Sequence, residues 1–388
     1  MRYTEFKLVE SKKPLLEAEA RIDHAEDIIF WEGSKGAIRA LEALRKLEQG
    51  GHKDVTIKWD GSPAIIFGRN ENGEFILTDK SGWGAKGYDG RSSSAKDLEA
   101  MLLRRPGASN PDPNKAADYK KFAGNMKDIF DEYEKATPKE FVGFFKGDLL
   151  YYNTPDKIQN KYVFTPNIVT YSVKADSDIG RRIAQSKTGI VVHNMIDHAG
   201  NDKPIDVNVA NLFQGKEVFV VPPVTVSIAP KVDDTRVDTI KADISRFATA
   251  IDSLINEPTL RQKKITSLPK IFYKYINSKV DTSLENLGSD FQQWLQGQGQ
   301  ISQRMQQNVL AHIAENKAGF DAMWKIVSNI QNVKDDIITQ FDATDHDVEA
   351  SIDGHGEGGE GYVLNHPQGL IKLVPREYFS RANRAKQR

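Results

Sequence analysis

The sequence predicts an α+β protein, an antiparallel-sheet domain with an all-α segment inserted into it. Three features lead there. Strand-like runs follow one another across short turns from residue 55 to about 230. A helical spacing of three and four then takes over at about residue 232. Strand patterning returns after residue 346. The expected division is therefore 1–231, an inserted helical domain at 232–345, and final strands with a basic tail at 346–388.

The first clear element is helical. In "GSKGAIRALEALRKLEQGG", Ala37, Leu41, Leu44 and Leu47 recur every three or four residues, and Gly50-Gly51 supplies a stop. Strands are expected in "VTIKW", "PAIIFGR" and "EFILTDK", with Asp60-Gly61 and Asn72-Gly73 as turns. From about 88 to 120 the chain is polar and rich in Ser, Pro and Asn, which predicts loop with one short helix. A helix near 117–135 precedes the apolar strand "KEFVGFFKGDLLYY", and further strands follow in "NIVTYSV", "GIVVHNM" and "EVFVVPPVTVS". In "TRVDTIKADISRFATAIDSLINE", the residues Val237, Ile240, Ile244, Phe247, Ile251 and Leu254 form the narrow apolar seam of an amphipathic helix. That seam suits packing inside the helical block or against another chain, so the oligomeric state stays open. Helical patterning continues to about 340 before "GEGYVLNH" and "GLIKLVP" restore the strand period.

Composition excludes several classes of function. Charged residues make up 28% of the 388 and cancel to a net charge of −1, so any pull on nucleic acid must come from local patches. Cysteine is absent, which removes disulfides, thiol nucleophiles and cysteine-ligated zinc and fits a reducing compartment. "MRYTEFKLVESKK" has no apolar core of a signal peptide, and no apolar run approaches a membrane span. The expectation is a soluble cytoplasmic protein with no membrane partner.

Alternation along "VTIKW" sends Val55, Ile57 and Trp59 to one face and Thr56 and Lys58 to the other. Taken alone, Lys58 is a solvent-facing lysine beside a hairpin turn. Three more segments change that reading. "FFKGDLL" holds Asp148, "GGEGYVLN" holds Glu360 and "GLIKLV" holds Lys372, each a charge within a run otherwise suited to burial. Two lysines and two acids in the β-rich part of one chain point to a shared polar cleft.

The ordered series "KWDG", "FKGDLLY", "IVTYSV", "EGYVL" and "LIKLV" resembles the motif series of the covalent nucleotidyltransferases, the superfamily of ATP-dependent DNA ligases, RNA ligases and capping enzymes. It covers roughly residues 25–230 and 350–375. The resemblance implies an ATP-grasp-like ligase domain. Lys58 would be the nucleophile that forms lysyl-AMP, and Lys372 would contact the α-phosphate. Asp148 would bind ribose or metal, Glu360 would bind Mg2+ or Mn2+, and Tyr171 would stack on adenine. Asp60 and Gly61 would shape the nucleotide site, with Arg69 as a further cation near it. A free lysine, with a pKa of about 10.4, is almost wholly protonated at neutral pH, and neighbouring cations favour the nucleophilic amine. The same cations offset charge on the transferring phosphoryl group. Two departures stand out: Val374 replaces a usual second lysine, and Asp148 replaces a usual glutamate.

No OB-fold segment follows "LIKLV", so the layout is expected to be nearer bacteriophage-type RNA ligases than cellular DNA ligases. The implied function is an ATP-dependent polynucleotide ligase acting on 5′-phosphate ends, RNA ahead of DNA, in a bacterial or phage-infected cell. The alternatives are a DNA ligase of unusual layout, an adenylyltransferase with a non-nucleic-acid acceptor, and a non-catalytic nucleotide-binding interaction module. Lys35, in "EGSKG" at a helix start, is a candidate for phosphate contact or part of a simple cap. "RQKKITSLPKIFYKYINSK" interleaves Lys263, Lys264 and Lys274 with Tyr273, which suits single-stranded nucleic acid or a helix with a solvated basic face. The tail from Arg376 to Arg388 is a candidate for tracking a strand backbone.

Overall fold

The computed structural model describes residues 23–50, 55–197, 201–204, 209–221, 226, 228–279, 287–343, 347–352 and 361–376. In chain order, β1 is Asp23–His24, followed by a 3-10 turn at Ala25–Asp27 and helix α1 at Ile28–Lys46. Then come β2 (Val55–Ile57), β3 (Ala64–Arg69), β4 (Phe75–Asp79), α2 (Lys80–Trp83), α3 (Ala95–Leu103) and α4 (Pro113–Ala136). Strands β5 (Gly143–Tyr151), β6 (Asp156–Ile158), β7 (Lys161–Phe164) and β8 (Val169–Lys174) precede α5 (Asp178–Ile183). Next are β9 (Thr188–Ile196), β10 (Asp202–Pro204) and β11 (Val218–Val220). Six helices follow: α6 (Asp234–Leu254), α7 (Glu257–Gln262), α8 (Leu268–Ser278), α9 (Leu287–Gln296), α10 (Gln303–Glu315) and α11 (Lys317–Asp342). The described chain closes with β12 (Val348–Ile352), β13 (Tyr362–His366) and β14 (Gly369–Leu373).

The strands form three sheets. The first has the order β1-β14-β13-β2, the middle one β10-β9-β5-β3-β4 with β11 on β9, and the third β12-β8-β7-β6. Pairing is antiparallel except for β1 with β14 and β11 with β9. The fold is thus α+β and rich in antiparallel sheet. The last strands complete sheets begun much earlier: β13 pairs β2, and β12 pairs β8. Strands on both sides of the helical segment are therefore woven together.

Alternation decides what each sheet buries. In the middle sheet, Ile65, Phe67, Phe145, Leu149, Ile190 and Val192 join a core with α3 and α4 through Leu98, Leu102, Met126, Phe130 and Tyr133. In the first sheet, Val55, Tyr362, Leu364, Ile371 and Leu373 share a core with α1 and the helical segment. The predicted seam of α6 is buried at Val237, Ile240, Ile244, Ile251 and Leu254, with Phe247 partly buried, and it packs on α1 and α11. The helical segment therefore shares one core with α1 and the first sheet. An aromatic cluster of Phe30, Phe272, Tyr275, Phe291, Phe320 and Trp324 fills its centre, with ring centroids 5.1–6.2 Å apart.

Helix α1 starts earlier than its sequence pattern indicates and breaks at Gly33, whose φ of 64° lies in the left-handed region. Asp252 of α6 meets the break. Its carboxylate accepts from the Ser34 N–H at 2.8 Å and from the Ser34 hydroxyl at 2.9 Å. A side chain at position 33 would collide with that carboxylate, so the glycine is required there.

Candidate functional site

The two candidate lysines come from strands that the chain brings together from its two ends. In the first sheet, Thr56 of β2, Val363 of β13 and Lys372 of β14 lie side by side in register. Beyond β2, the Lys58 N–H donates to the carbonyl of Gly361 at 2.9 Å and extends the same ladder. Lys58 and Lys372 thus project from one face, opposite the face that packs on the helices. From strand and residue spacings their α-carbons are about 12 Å apart, within the joint reach of two lysine side chains. Both are half-buried. Glu360 lies outside the described residues.

The turn after Lys58 is tied down on every side. Trp59 points the other way and is buried, its ring centroid 4.6 Å from that of Tyr171 and stacked on Phe164 at 6.3 Å. Asp60 is buried. Its N–H donates to the Tyr171 hydroxyl, and its carboxylate accepts from Asn167 Nδ2 at 3.0 Å and from the Ile168 N–H at 3.2 Å. Asp60 therefore fastens the turn to the loop between β7 and β8. Gly61 then lies against β5, where a Cβ would sit 2.7 Å from Asp148 Cβ and 2.8 Å from the Leu149 carbonyl oxygen. This close approach sets Asp148 beside the K-W-D-G turn. A cis Ser62–Pro63 peptide leads into β3.

Asp148 shares its face of the middle sheet with Ala64, Lys146 and Phe144, away from the α3–α4 core. Its Oδ2 lies 2.9 Å from Nε2 of His193 on β9. The sequence does not single out His193, although "GIVVHNM" places it within an apolar strand. Nor does it single out His24, which pairs in register with Lys372. His24 is nearly enclosed, and its Nδ1 finds no hydrogen-bond partner among the described residues. Burial, then the charges of Arg376, Lys334, Lys372 and Lys58, hold its pKa well below the ordinary histidine value.

Behind His24 lies a buried ionic cluster. Lys334 of α11 donates to Glu26 Oε1 at 2.8 Å and to the Val374 carbonyl at 2.9 Å. Arg376 donates to Glu26 Oε1 at 2.7 Å and also pairs with Asp27. Burial works to raise both carboxyls. For Glu26 the neighbouring cations outweigh it and hold the pKa below the usual value, whereas Asp27 is pushed up to about 7. The cluster pins the end of β14 to α11 and to the turn before α1.

Several expected site residues sit elsewhere. Tyr171 is fully buried between Trp59 and Phe164, so it offers no ring face to adenine and serves instead as support for the turn. Arg69 is buried at the far end of β3, where it donates to the carbonyls of Gly73, Glu134, Thr137 and Pro138. It satisfies the end of α4. Lys35 is exposed on α1, and the adjacent Ser34 N–H, which would have met a phosphate, is filled by Asp252. Arg376 is no part of a basic surface, because it is buried in the ionic cluster; the tail beyond it lies outside the described residues. Lys263 pairs with Glu315, and Phe272 and Tyr275 form the buried stripe of α8. Lys264 and Lys274 are exposed, with Tyr273 half-buried beside Lys274.

The two lysines on one face suit a polyphosphate, whereas the Asp148 carboxylate on the neighbouring sheet could meet one only through a bound cation. Among the described residues no cluster of three or more His, Asp or Glu side chains could hold a metal ion. An ion bound beside Asp148 would take most of its shell from phosphate and water oxygens, as Mg2+ commonly does. No described helix is long and apolar enough to cross a membrane.

Comparison with curated proteins and with solved structures finds no match. A family model matches residues 19–86 and 113–388, most of the chain, and the protein belongs to that family, the family of unknown function DUF6267.

Proposed function

We propose that this protein is an ATP-dependent nucleotidyltransferase that seals polynucleotide ends, RNA ahead of DNA, through AMP carried on Lys58. The observation that supports this reading best is the shared face of Lys58 and Lys372, joined through the Gly361 contact. The K-W-D-G segment and the two closely spaced motifs near residues 361–374 meet in one sheet, which is compatible with the resemblance to covalent nucleotidyltransferases.

In this reading Lys58 Nζ attacks the α-phosphorus of ATP; the N–P bond forms as the bond to pyrophosphate breaks. Lys372 offsets the charge that develops on the α-phosphate oxygens, the largest kind of contribution in phosphoryl transfer. Asp60 and Trp59 do not touch the nucleotide; they hold the turn so that Lys58 keeps its place. Asp148 faces the ribose or a divalent ion, and such an ion would supply further positive charge at the phosphates. A 5′-phosphate oxygen of the polynucleotide then displaces Lys58 from the AMP phosphorus, and a 3′-hydroxyl displaces AMP. Lys264, Tyr273 and Lys274 on the helical segment would contact the strand. Sealing of 5′-phosphorylated RNA and DNA strands tests the reading: wild-type protein should join ends with ATP, and Lys58→Ala should not. Wild-type rates of joining by Lys58→Ala would overturn it.

A further inference from the structure

The pairing of β9 with β5 is irregular at two places, and at one of them the extra residue lies on β9. Asn194 faces Lys146 and Val192 faces Gly147, which leaves His193 as an extra residue between them. Such bulges re-aim side chains and are common beside active sites. Alternation turns Val192 into the α3–α4 core and His193 to the opposite face, which it shares with Asp148; there its Nε2 lies 2.9 Å from Asp148 Oδ2. Both side chains keep access to solvent, at 40% and 29% of their full exposure, so an ion could enter between them.

We propose that His193 and Asp148 form a two-ligand subsite for a divalent cation, with a nitrogen–oxygen donor set that selects Mn2+ over Mg2+. Two donors bound at right angles to one ion, each at about 2.1 Å, lie about 3 Å apart, whereas tetrahedral donors at that length lie about 3.4 Å apart. The pair is hydrogen-bonded at 2.9 Å, close enough that an octahedral ion could replace the shared proton with little movement of either side chain. Mg2+ takes oxygen ligands, while imidazole affinity rises along the first-row transition series that begins with Mn2+. The remaining octahedral positions are left for water or phosphate oxygens. Gly61 packs directly on Asp148, which puts the subsite beside the turn that carries Lys58. A part for this ion in nucleotidyl transfer rests on the function proposed above; its binding does not.

The test is a titration of the full-length protein with Mn2+ alone, without nucleotide, following loss of the free-ion electron paramagnetic resonance signal with Mg2+ as competitor. The expected result is one saturable site that Mg2+ displaces only at large excess. His193→Ala and Asp148→Asn should each weaken it by about 10-fold or more. His193 is well exposed, so its variant should keep the wild-type unfolding curve. No uptake of Mn2+, no preference over Mg2+, or equal affinity in His193→Ala would overturn the subsite. Uptake lost in His193→Ala, together with no AMP on Lys58 in the wild type, would sustain the subsite and overturn the nucleotidyl-transfer reading. AMP on Lys58 with unchanged Mn2+ binding in His193→Ala would do the reverse.

Discussion

The N–H of Lys58 donates to the carbonyl of Gly361 at 2.9 Å, so residues near opposite ends of the chain are adjacent rungs of one ladder. Lys372 stands on the next strand of the same sheet and on the same face. Its partners across the ladder are Val363 and the neutral His24, whose pKa is held well below the ordinary histidine value. Truncation of Lys372 should therefore remove a cation from the reacting phosphate without disturbing the core behind it. Lys372→Ala is expected to slow AMP incorporation by about 10²–10³-fold, with Lys372→Arg retaining part of the rate. Rapid-quench measurement of incorporation on each variant checks this.

Gly61→Ala should loosen the junction between the first and middle sheets. The added methyl would lie 2.7 Å from Asp148 Cβ and 2.8 Å from the Leu149 carbonyl oxygen, so the turn or β5 must shift. The expected loss is about 1–3 kcal/mol by urea denaturation. Gly124→Ala is the control: it lies in α4 with nothing within 4 Å of the new methyl, and it should stabilise by about 0.5–1 kcal/mol.

Lys334→Met should be among the most damaging single changes outside the cleft. Lys334 is fully buried, and its loss leaves Glu26 with Arg376 alone and strips the Val374 carbonyl of its donor. Breaking a buried ion pair on one side typically costs about 3–5 kcal/mol. Denaturant midpoints of wild type and variant measure the difference.

His24 sets a pH dependence of known sign. Its folded pKa is depressed by burial and by the cations Arg376, Lys334, Lys372 and Lys58, so the unfolded chain takes up the proton first as pH falls. The stability it contributes is present above the unfolded value, near 6.5, and is lost as pH falls toward and through the lower folded value. The His24 ring should remain neutral by NMR at pH 6, where an unperturbed histidine is mostly protonated. Over the same range His24→Gln should lose less stability than the wild type.

Much of this was legible in the sequence where the physics is local. The β3–β4 hairpin around Asn72-Gly73, the apolar strands β5 and β9, and the α6 seam follow from turn chemistry and side-chain period alone. The shared face of Thr56 and Lys58 follows from alternation. The rest depends on partners that local pattern does not encode. Strand β6, "DKI", is too short to carry a strand period, and although "VEASI" of β12 alternates, nothing local pairs it with β8. Lys334 reads as surface charge on a helix, and only the fold supplies Glu26 and the Val374 carbonyl. Arg69 and Tyr171 are residue types suited to phosphate and adenine, yet the fold spends them on helix-end carbonyls and on the Asp60 N–H. Alternation turns His193 away from the buried Val192, but only the pairing of β9 with β5 brings it to Asp148.

The most direct test of the central claim is incubation of the protein with α-labelled ATP and a divalent ion, followed by denaturing electrophoresis and peptide mapping. The nucleotidyltransferase reading predicts one AMP per chain, acid-labile as a phosphoramidate, on the peptide containing Lys58, and none on Lys58→Ala. Wild-type protein that takes no label with either Mg2+ or Mn2+, or label that persists on Lys58→Ala, would contradict it.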